Sequence, residues 1–269
     1  MLLSPAGQIL DETIKIEMQK HPDLVIRSYI IMPEHLHYRM TFPAKLPKPI
    51  YSIGHFAEEI KRWSKIKLGN RGISINWQEN YHDYICMNRF INERVDEYIK
   101  LNPLKWALMH YGSNPPMRVM EPLKSPVLPP FEWWTGVGNY GLLSGCNPIL
   151  GINLSRRLSD SQTCAIAEDI IYKCSRGMIP VSTFISPAEV YLFKRLCNEG
   201  IPVVCAVPDP LKTIYRPRTE QTVLFAQNKL LLLSHLQEND ISRYDAWHRL
   251  NDDIAKIAQA SNGEFLRAQ

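Results

Sequence analysis

Hydrophobic and polar positions recur with different periods in the two halves of the chain. In the first half, Ser28 to Met40 (SYIIMPEHLHYRM) is rich in β-branched and aromatic residues and predicts a strand, along which alternate side chains share a face. The segment HFAEEIKRWSKIKLGNR, starting at His55, predicts a helix with an apolar stripe of Phe56, Ile60, Trp63 and Ile66. A second helix is expected from Ile91 to Leu101, with Ile91, Val95, Tyr98 and Ile99 on one face. It is expected to stop at Asn102-Pro103, because proline biases the residue before it out of the helical region.

The pattern then breaks. Ser113 to Glu132 carries six prolines and little that favours a helix, so residues 113–132 read as a semi-extended linker between residues 1–112 and 133–269. Beyond it strands and helices alternate. Strands are predicted at 147–154, 178–185, 201–209 and 229–234, and helices at 160–176, 187–198 and 242–260, with Ser186 as a cap and Pro187 in the first turn. Such βα alternation predicts a parallel, doubly wound sheet, whose ligands bind at the carboxyl ends of its strands.

Chemistry enters with His35-Leu36-His37, which places two imidazoles on one face of the first strand. A pair so placed holds one divalent ion if a third group approaches from a neighbouring element; otherwise it is structural or a surface pair. Downstream, Tyr98 and Asn102 lie one helical turn apart and present a phenol and a carboxamide together. The plain alternative for Tyr98 is a ring packed on the helix face with its hydroxyl in water.

In order along the chain, MPEHLH (32–37), WQENYHDYI (77–85) and YIKLNPLKW (98–106) resemble the single-tyrosine HUH transposases, in particular the REP-associated tyrosine transposases, over residues 1–110. The resemblance implies an α+β, ferredoxin-like domain acting on single-stranded or hairpin DNA. It implies that His35 and His37 bind magnesium or manganese and that Asn102 is a third ligand or orienting group. It makes Tyr98 the nucleophile that forms a 5′-phosphotyrosine link. Glu34 stands where relatives carry asparagine and is a further candidate for the metal shell. Relatives also carry an aromatic-rich strand ahead of the stretch beginning MLLSPAGQILDETI here, which implies a sheet lacking its first strand. The open edge left by that strand, and the dimeric habit of the family, lead to the expectation of a homodimer.

The second half resembles the Rossmann-like domains of the DNA-processing protein A and lysine-decarboxylase-like (SLOG) superfamily. The carrying residues are VGNYGLL (137–143), INLSRRLSD (152–160) and STFISPAEVYLFKRLCNEGIPVV (182–204). There Ser155, Arg156 and Arg157 follow a strand, and Ser186 to Glu189 open a helix. The resemblance implies that loops such as these hold a phosphate or nucleotide at helix amino termini. No glycine-rich phosphate loop accompanies them, so a structural or protein-binding domain stands beside a nucleotide-sensing one.

Composition narrows the picture. No apolar run reaches membrane-spanning length, and the first residues lack the basic start and apolar core of a secretory signal. Six scattered cysteines without CxxC spacing argue against a zinc site or a disulfide framework, and reduced thiols imply a cytoplasmic protein. A net charge of +4 is too small to mark a nucleic-acid surface by itself, so any phosphate track rests on clustering. Lys61, Arg62, Lys65, Lys67 and Arg71 form the best cluster, either as a solvated helix face or as a DNA track. Trp77 and Tyr81 beside it are either core or base-stacking groups. Three functions remain: a metal-dependent tyrosine nickase or strand transferase, a DNA-binding derivative without catalysis, and a nucleotide sensor centred on the second half.

Overall fold

A computed structural model describes residues 2–22, 24–41, 52–111, 117–130, 133–235 and 243–269. The chain divides into two compact units, Met1–Pro103 and Leu104–Gln269.

The first unit opens with helix α1 (Pro5–Lys20), which the pattern above does not predict. Ser4 caps it by accepting from the Gly7 N–H, Pro5 occupies its first turn, and Ile9, Leu10, Thr13, Ile14 and Glu17 form its buried stripe. Strands β1 (Val25–Ile31) and β2 (Leu36–Thr41) follow as an antiparallel hairpin, the only sheet among the described residues of this unit. One face of the hairpin, with Ile26, Tyr29, Leu36, Tyr38 and Met40, packs on Leu10, Ile14, Phe56 and Ile60 of α1 and helix α2 (Ile53–Gly69). The other face carries Ser28, His37 and Arg39.

Three expectations for this unit are corrected, the first being the strand read across Ser28 to Met40, which a turn between Ile31 and Leu36 breaks into β1 and β2, leaving His35 outside β2. The buried stripe of α2 is Phe56, Ala57, Ile60, Ser64 and Leu68, while Ile66 is exposed and Trp63 only half-buried. Rows four residues apart meet α1 here, and Trp63 instead sends its indole N–H to Glu59 at 2.8 Å. The third helix does not end at Asn102. It runs as α3 from Arg89 to Tyr111 with Pro103 inside. Proline removes the donor that would bond the Ile99 carbonyl and usually ends or kinks a helix. The division between the units falls at this proline.

The second unit is built on a six-stranded sheet in the order β3-β7-β6-β5-β4-β8. Its strands are β3 (Trp134–Gly138), β4 (Ile149–Leu154), β5 (Ile179–Ser182), β6 (Val203–Val207), β7 (Leu230–His235) and β8 (Glu264–Ala268); only β3 runs antiparallel to its neighbour. Near-continuous apolar strands such as LLLL in β7 are what a sheet buried on both faces requires. Helices α4 (Asp160–Ser175), α5 (Pro187–Asn198) and α6 (Thr219–Ala226) contribute Ile170, Leu192 and Leu224 to one core layer. Helix α7 (Arg243–Ala260) contributes Leu250, Ile254 and Ile257 to the other, giving a Rossmann-like arrangement with a mixed, mainly parallel sheet.

Strands β3 and β8 and helix α6 have no counterpart in the sequence reading. The linker expectation is also revised: residues 117–130 lie on the second unit, with Met117, Val119, Leu123, Val127 and Leu128 buried and Met120 bridged to Gly136. Prolines prevent a helix there, but apolar residues between them still bury against the sheet. The remaining linker positions, 113–116 and 131–132, and Ser242 at the start of the last expected helix lie outside the described residues.

Candidate functional site

The polar face of the β1–β2 hairpin is where the chemistry-bearing residues of the first unit converge. Because side chains alternate along a strand, His37 and Arg39 share one side of β2, and the residues paired across from them are Ile30 and Ser28. His35 precedes β2, and its ring lies 4.6 Å, centroid to centroid, from that of His37 in an edge-on arrangement. His35 is exposed and His37 half-buried. Burial, and secondarily the charge of His35, hold the His37 imidazole below its ordinary pKa, which favours the neutral ring that can donate a lone pair to a metal.

Helix α3 brings Tyr98 to this pair: its ring stands 5.4 Å from that of His37, also edge-on, with the residue 39 % exposed. Asn88 starts the helix by accepting from the Ile91 N–H. About three turns of the helix then carry residues 92, 96, 99 and 102–103 along one side.

Arg39 locks this helix to the hairpin. Its Nε and Nη2 each reach an Asp96 carboxylate oxygen at 2.6 Å, its Nη1 reaches Asn92 Oδ1 at 3.1 Å, and Ser28 Oγ donates to Asp96 Oδ1 at 2.6 Å. The Arg39 guanidinium, with help from Ser28, holds the Asp96 carboxyl below its ordinary range. Neither Arg39 nor Asp96 is singled out by sequence reasoning. An arginine two residues beyond the histidine pair on the same strand face was the available signal.

Asn102 is buried, and its amide Nδ2 donates to the Tyr98 carbonyl at 3.0 Å. That bond leaves only Oδ1 to offer a cation, and no group of three His, Cys, Asp or Glu side chains able to hold a metal occurs among the described residues. His35 and His37 are nitrogen donors that could share one divalent ion, which would complete its shell with oxygen ligands. Glu34 is exposed at the turn before His35.

The basic cluster behaves differently. Lys61 turns inward to the chain itself, its Nζ meeting the carbonyls of Gln78, Glu79 and Asn80 at 2.6, 3.3 and 3.1 Å. Arg62 pairs with Glu59 at 2.7 Å and covers the Trp63 ring at 4.8 Å. Lys65 and Arg71 are exposed and Lys67 is half-buried. Trp77 packs on the core of the unit and donates its indole N–H to Ser64 at 2.9 Å, so it takes the core alternative rather than the stacking one. Tyr81, by contrast, is 42 % exposed, and Tyr84, Ile85, Met87 and Phe90 beside it are exposed too.

In the second unit, two cavities of about 320 and 300 Å³ open at the carboxyl ends of β4, β5 and β8 and share Asn153, Ser155, His248 and Asn251. Strands β5 and β8 flank β4 on opposite sides, which makes this the point where the chain path reverses across the sheet. Gly151 allows it: a Cβ there would meet Phe265 at 2.8 Å and Ile254 at 3.1 Å, so glycine lets α7 and β8 close on β4. Arg156 lines one cavity, Arg157 and Arg267 the other, and Tyr244 and Trp247 of α7 form an aromatic wall.

Ser155, Arg156, Ser186 and Glu189 therefore do meet, but two of them are occupied by the fold. The Ser186 hydroxyl accepts from the Glu189 N–H at 3.1 Å as the cap of α5. The Glu189 carboxylate, 2 % exposed, accepts from the N–H groups of Leu154, Ile185 and Ser186 and from the Thr183 hydroxyl. An acceptor so engaged, and negatively charged, does not bind phosphate. Tyr244, Trp247, His248, Asn251 and Arg267 were not found by sequence reasoning, because α7 and β8 reach the cleft only through the tertiary fold; Asn153 of β4 carries no local mark either.

No helix among the described residues is long and apolar enough to cross a membrane. The chain matches no protein-family model and no curated protein.

Proposed function

We propose that the first unit is a metal-dependent, tyrosine-nucleophile nickase or strand transferase of the HUH type, acting on single-stranded or hairpin DNA. The observation that carries this reading is the meeting of His35, His37 and Tyr98, three residues from elements about sixty positions apart, at ring separations of 4.6 and 5.4 Å. Phosphodiester cleavage needs a nucleophile held in line with a phosphorus whose oxygens are neutralised. The Tyr98 oxygen attacks phosphorus, the bond from phosphorus to the 3′ oxygen breaks, the phenolic proton passes to solvent, and the leaving 3′ oxygen takes up a proton. The products are a 5′-phosphotyrosine link and a free 3′-hydroxyl, and the reverse reaction rejoins strands. His35 and His37, with Asn102 Oδ1 as a candidate third donor, would hold a magnesium or manganese ion, which would neutralise charge on the phosphate oxygens. Exposed Lys65 and Arg71 are the cations of the α2 cluster available to the DNA backbone.

Labelled hairpin DNA incubated with the chain and manganese is expected to give a covalent adduct that Tyr98→Phe abolishes. His35→Ala is expected to lose the adduct and most manganese affinity while still binding the hairpin. An adduct that persists in Tyr98→Phe but is lost in Tyr84→Phe or Tyr81→Phe would move the nucleophile. No adduct in the parent chain, with hairpin binding intact, would favour the binding-only derivative. Homodimerisation belongs to the same reading and is tested by light scattering of the full chain.

A second reading assigns nucleotide sensing to the second unit, favoured by the cleft in which Trp247 and Tyr244 offer stacking surfaces, Asn153 and Asn251 amides, and Arg156, Arg157 and Arg267 cations. A nucleotide-induced rise in Tm of the full chain that Trp247→Ala removes would support it; no rise with any common nucleotide would dismiss it.

A further inference from the structure

We propose that the Arg39–Asp96 pair is the positioning element that holds Tyr98 against the histidine strand, so that its loss uncouples the nucleophile from the metal ligands without removing either. The inference rests on the reading of Tyr98 as nucleophile. Its basis is geometric. Arg39 lies two residues beyond His37 on the same face of β2, and Asp96 lies two residues before Tyr98 on α3. One bidentate contact therefore ties both reacting residues to a common reference.

The contact is over-determined for an ordinary surface ion pair. A planar guanidinium engages both carboxylate oxygens at 2.6 Å, a third nitrogen fixes Asn92 one turn earlier, and Ser28 of the adjacent strand fixes the same carboxylate. Four side chains from three elements thereby set both the rotation and the axial position of the helix. Apolar packing sets them weakly in the part of α3 that carries Tyr98: up to Pro103 only Ile99 and Asn102 are buried and Tyr98 is itself 39 % exposed, while Leu108 and Met109, which pack on a core, lie beyond the proline. With so few buried side chains, the segment of α3 ahead of Pro103 shifts or turns once the fork is lost. A displacement of about 1 Å at a reacting atom costs on the order of 100-fold in rate. The histidines are insulated from that movement, since the hairpin that carries them is anchored by its other face on α1 and α2.

Arg39→Lys keeps the charge but loses the fork, and Asp96→Asn keeps the shape but loses the charge; the second variant covers the case in which the first fails to fold. Each is compared with the parent as the full chain in three measurements: manganese affinity, the single-turnover rate of adduct formation at saturating hairpin DNA, and the nuclear Overhauser contact between the His37 and Tyr98 rings. We expect manganese affinity within twofold of the parent, an adduct rate lowered about 30-fold or more, and loss of the ring contact. A parent-like rate and an intact ring contact in both variants would overturn the proposal. A merely structural role would lower Tm and manganese affinity together and leave the rate of the folded fraction unchanged, which also overturns it. If the parent chain forms no adduct, the nucleophile reading fails by itself. The ring contact then decides the clamp: its loss in the variants sustains it and its retention sinks it.

Discussion

Replacing Glu189 is the sharpest test of whether that carboxylate belongs to the fold or to a ligand site. The side chain gathers four donors: Leu154 N–H on Oε1 at 3.0 Å, and Thr183 Oγ1, Ile185 N–H and Ser186 N–H on Oε2 at 3.2, 2.9 and 3.2 Å. It thus ties the end of β4 to the turn between β5 and α5. Glu189→Ala leaves all four donors without their partner. A buried donor left unmade costs about 1–3 kcal/mol, and because the cleft admits water beside Glu189 the lower end applies, giving a loss of about 4 kcal/mol. For a unit of this size that corresponds to a fall in Tm of roughly 8–16 °C. Glu189→Gln offers one carbonyl oxygen, best placed where Oε2 stands, and turns its NH₂ toward the Leu154 N–H; it is expected to cost about 2 kcal/mol. Urea unfolding monitored by circular dichroism reads both as a lower midpoint at constant m. If Glu189→Gln unfolds at the parent's midpoint, the carboxylate does not hold the loop, and its assignment to the fold is wrong.

Two further outcomes follow from the first unit. Trp77→Phe removes the bond to Ser64 while keeping an aromatic ring in the core, and it should destabilise by about 1 kcal/mol with hairpin affinity unchanged; a large affinity loss without destabilisation would return Trp77 to a stacking role. The Asp96 carboxyl is held below its ordinary value of 3.8 by Arg39 and Ser28, so its contribution is fully present above that pH and disappears as pH falls through the lower folded value. Asp96→Asn should accordingly flatten the acid limb of the stability profile below about pH 4, and an unchanged limb would show that the pair is not formed in solution.

Local signals were legible wherever they depend on neighbours in the chain. The serine cap at Ser186 and the βα alternation from Ile149 to His235 follow from strand and helix periodicity, and the second unit accordingly carries a mainly parallel, Rossmann-like sheet; the strand read across Ser28 to Met40, by contrast, is broken by a turn that leaves His35 outside β2. Tyr98 was picked out by its place in a motif, and its meeting with His37 is decided by the packing of α3 on the hairpin. Contacts between distant residues were not legible. Arg39 and Asp96 lie 57 positions apart, and neither carries a mark that selects the other among many charges. Local rules also lost where tertiary packing outweighed them: Pro103 stays inside a helix, and proline-rich residues 117–130 bury apolar side chains on the second unit. The physical reason is common to these cases. Propensities and caps act over about one turn at roughly 1 kcal/mol each, whereas burial and charge pairing depend on which distant surfaces meet, and only the folded chain decides that.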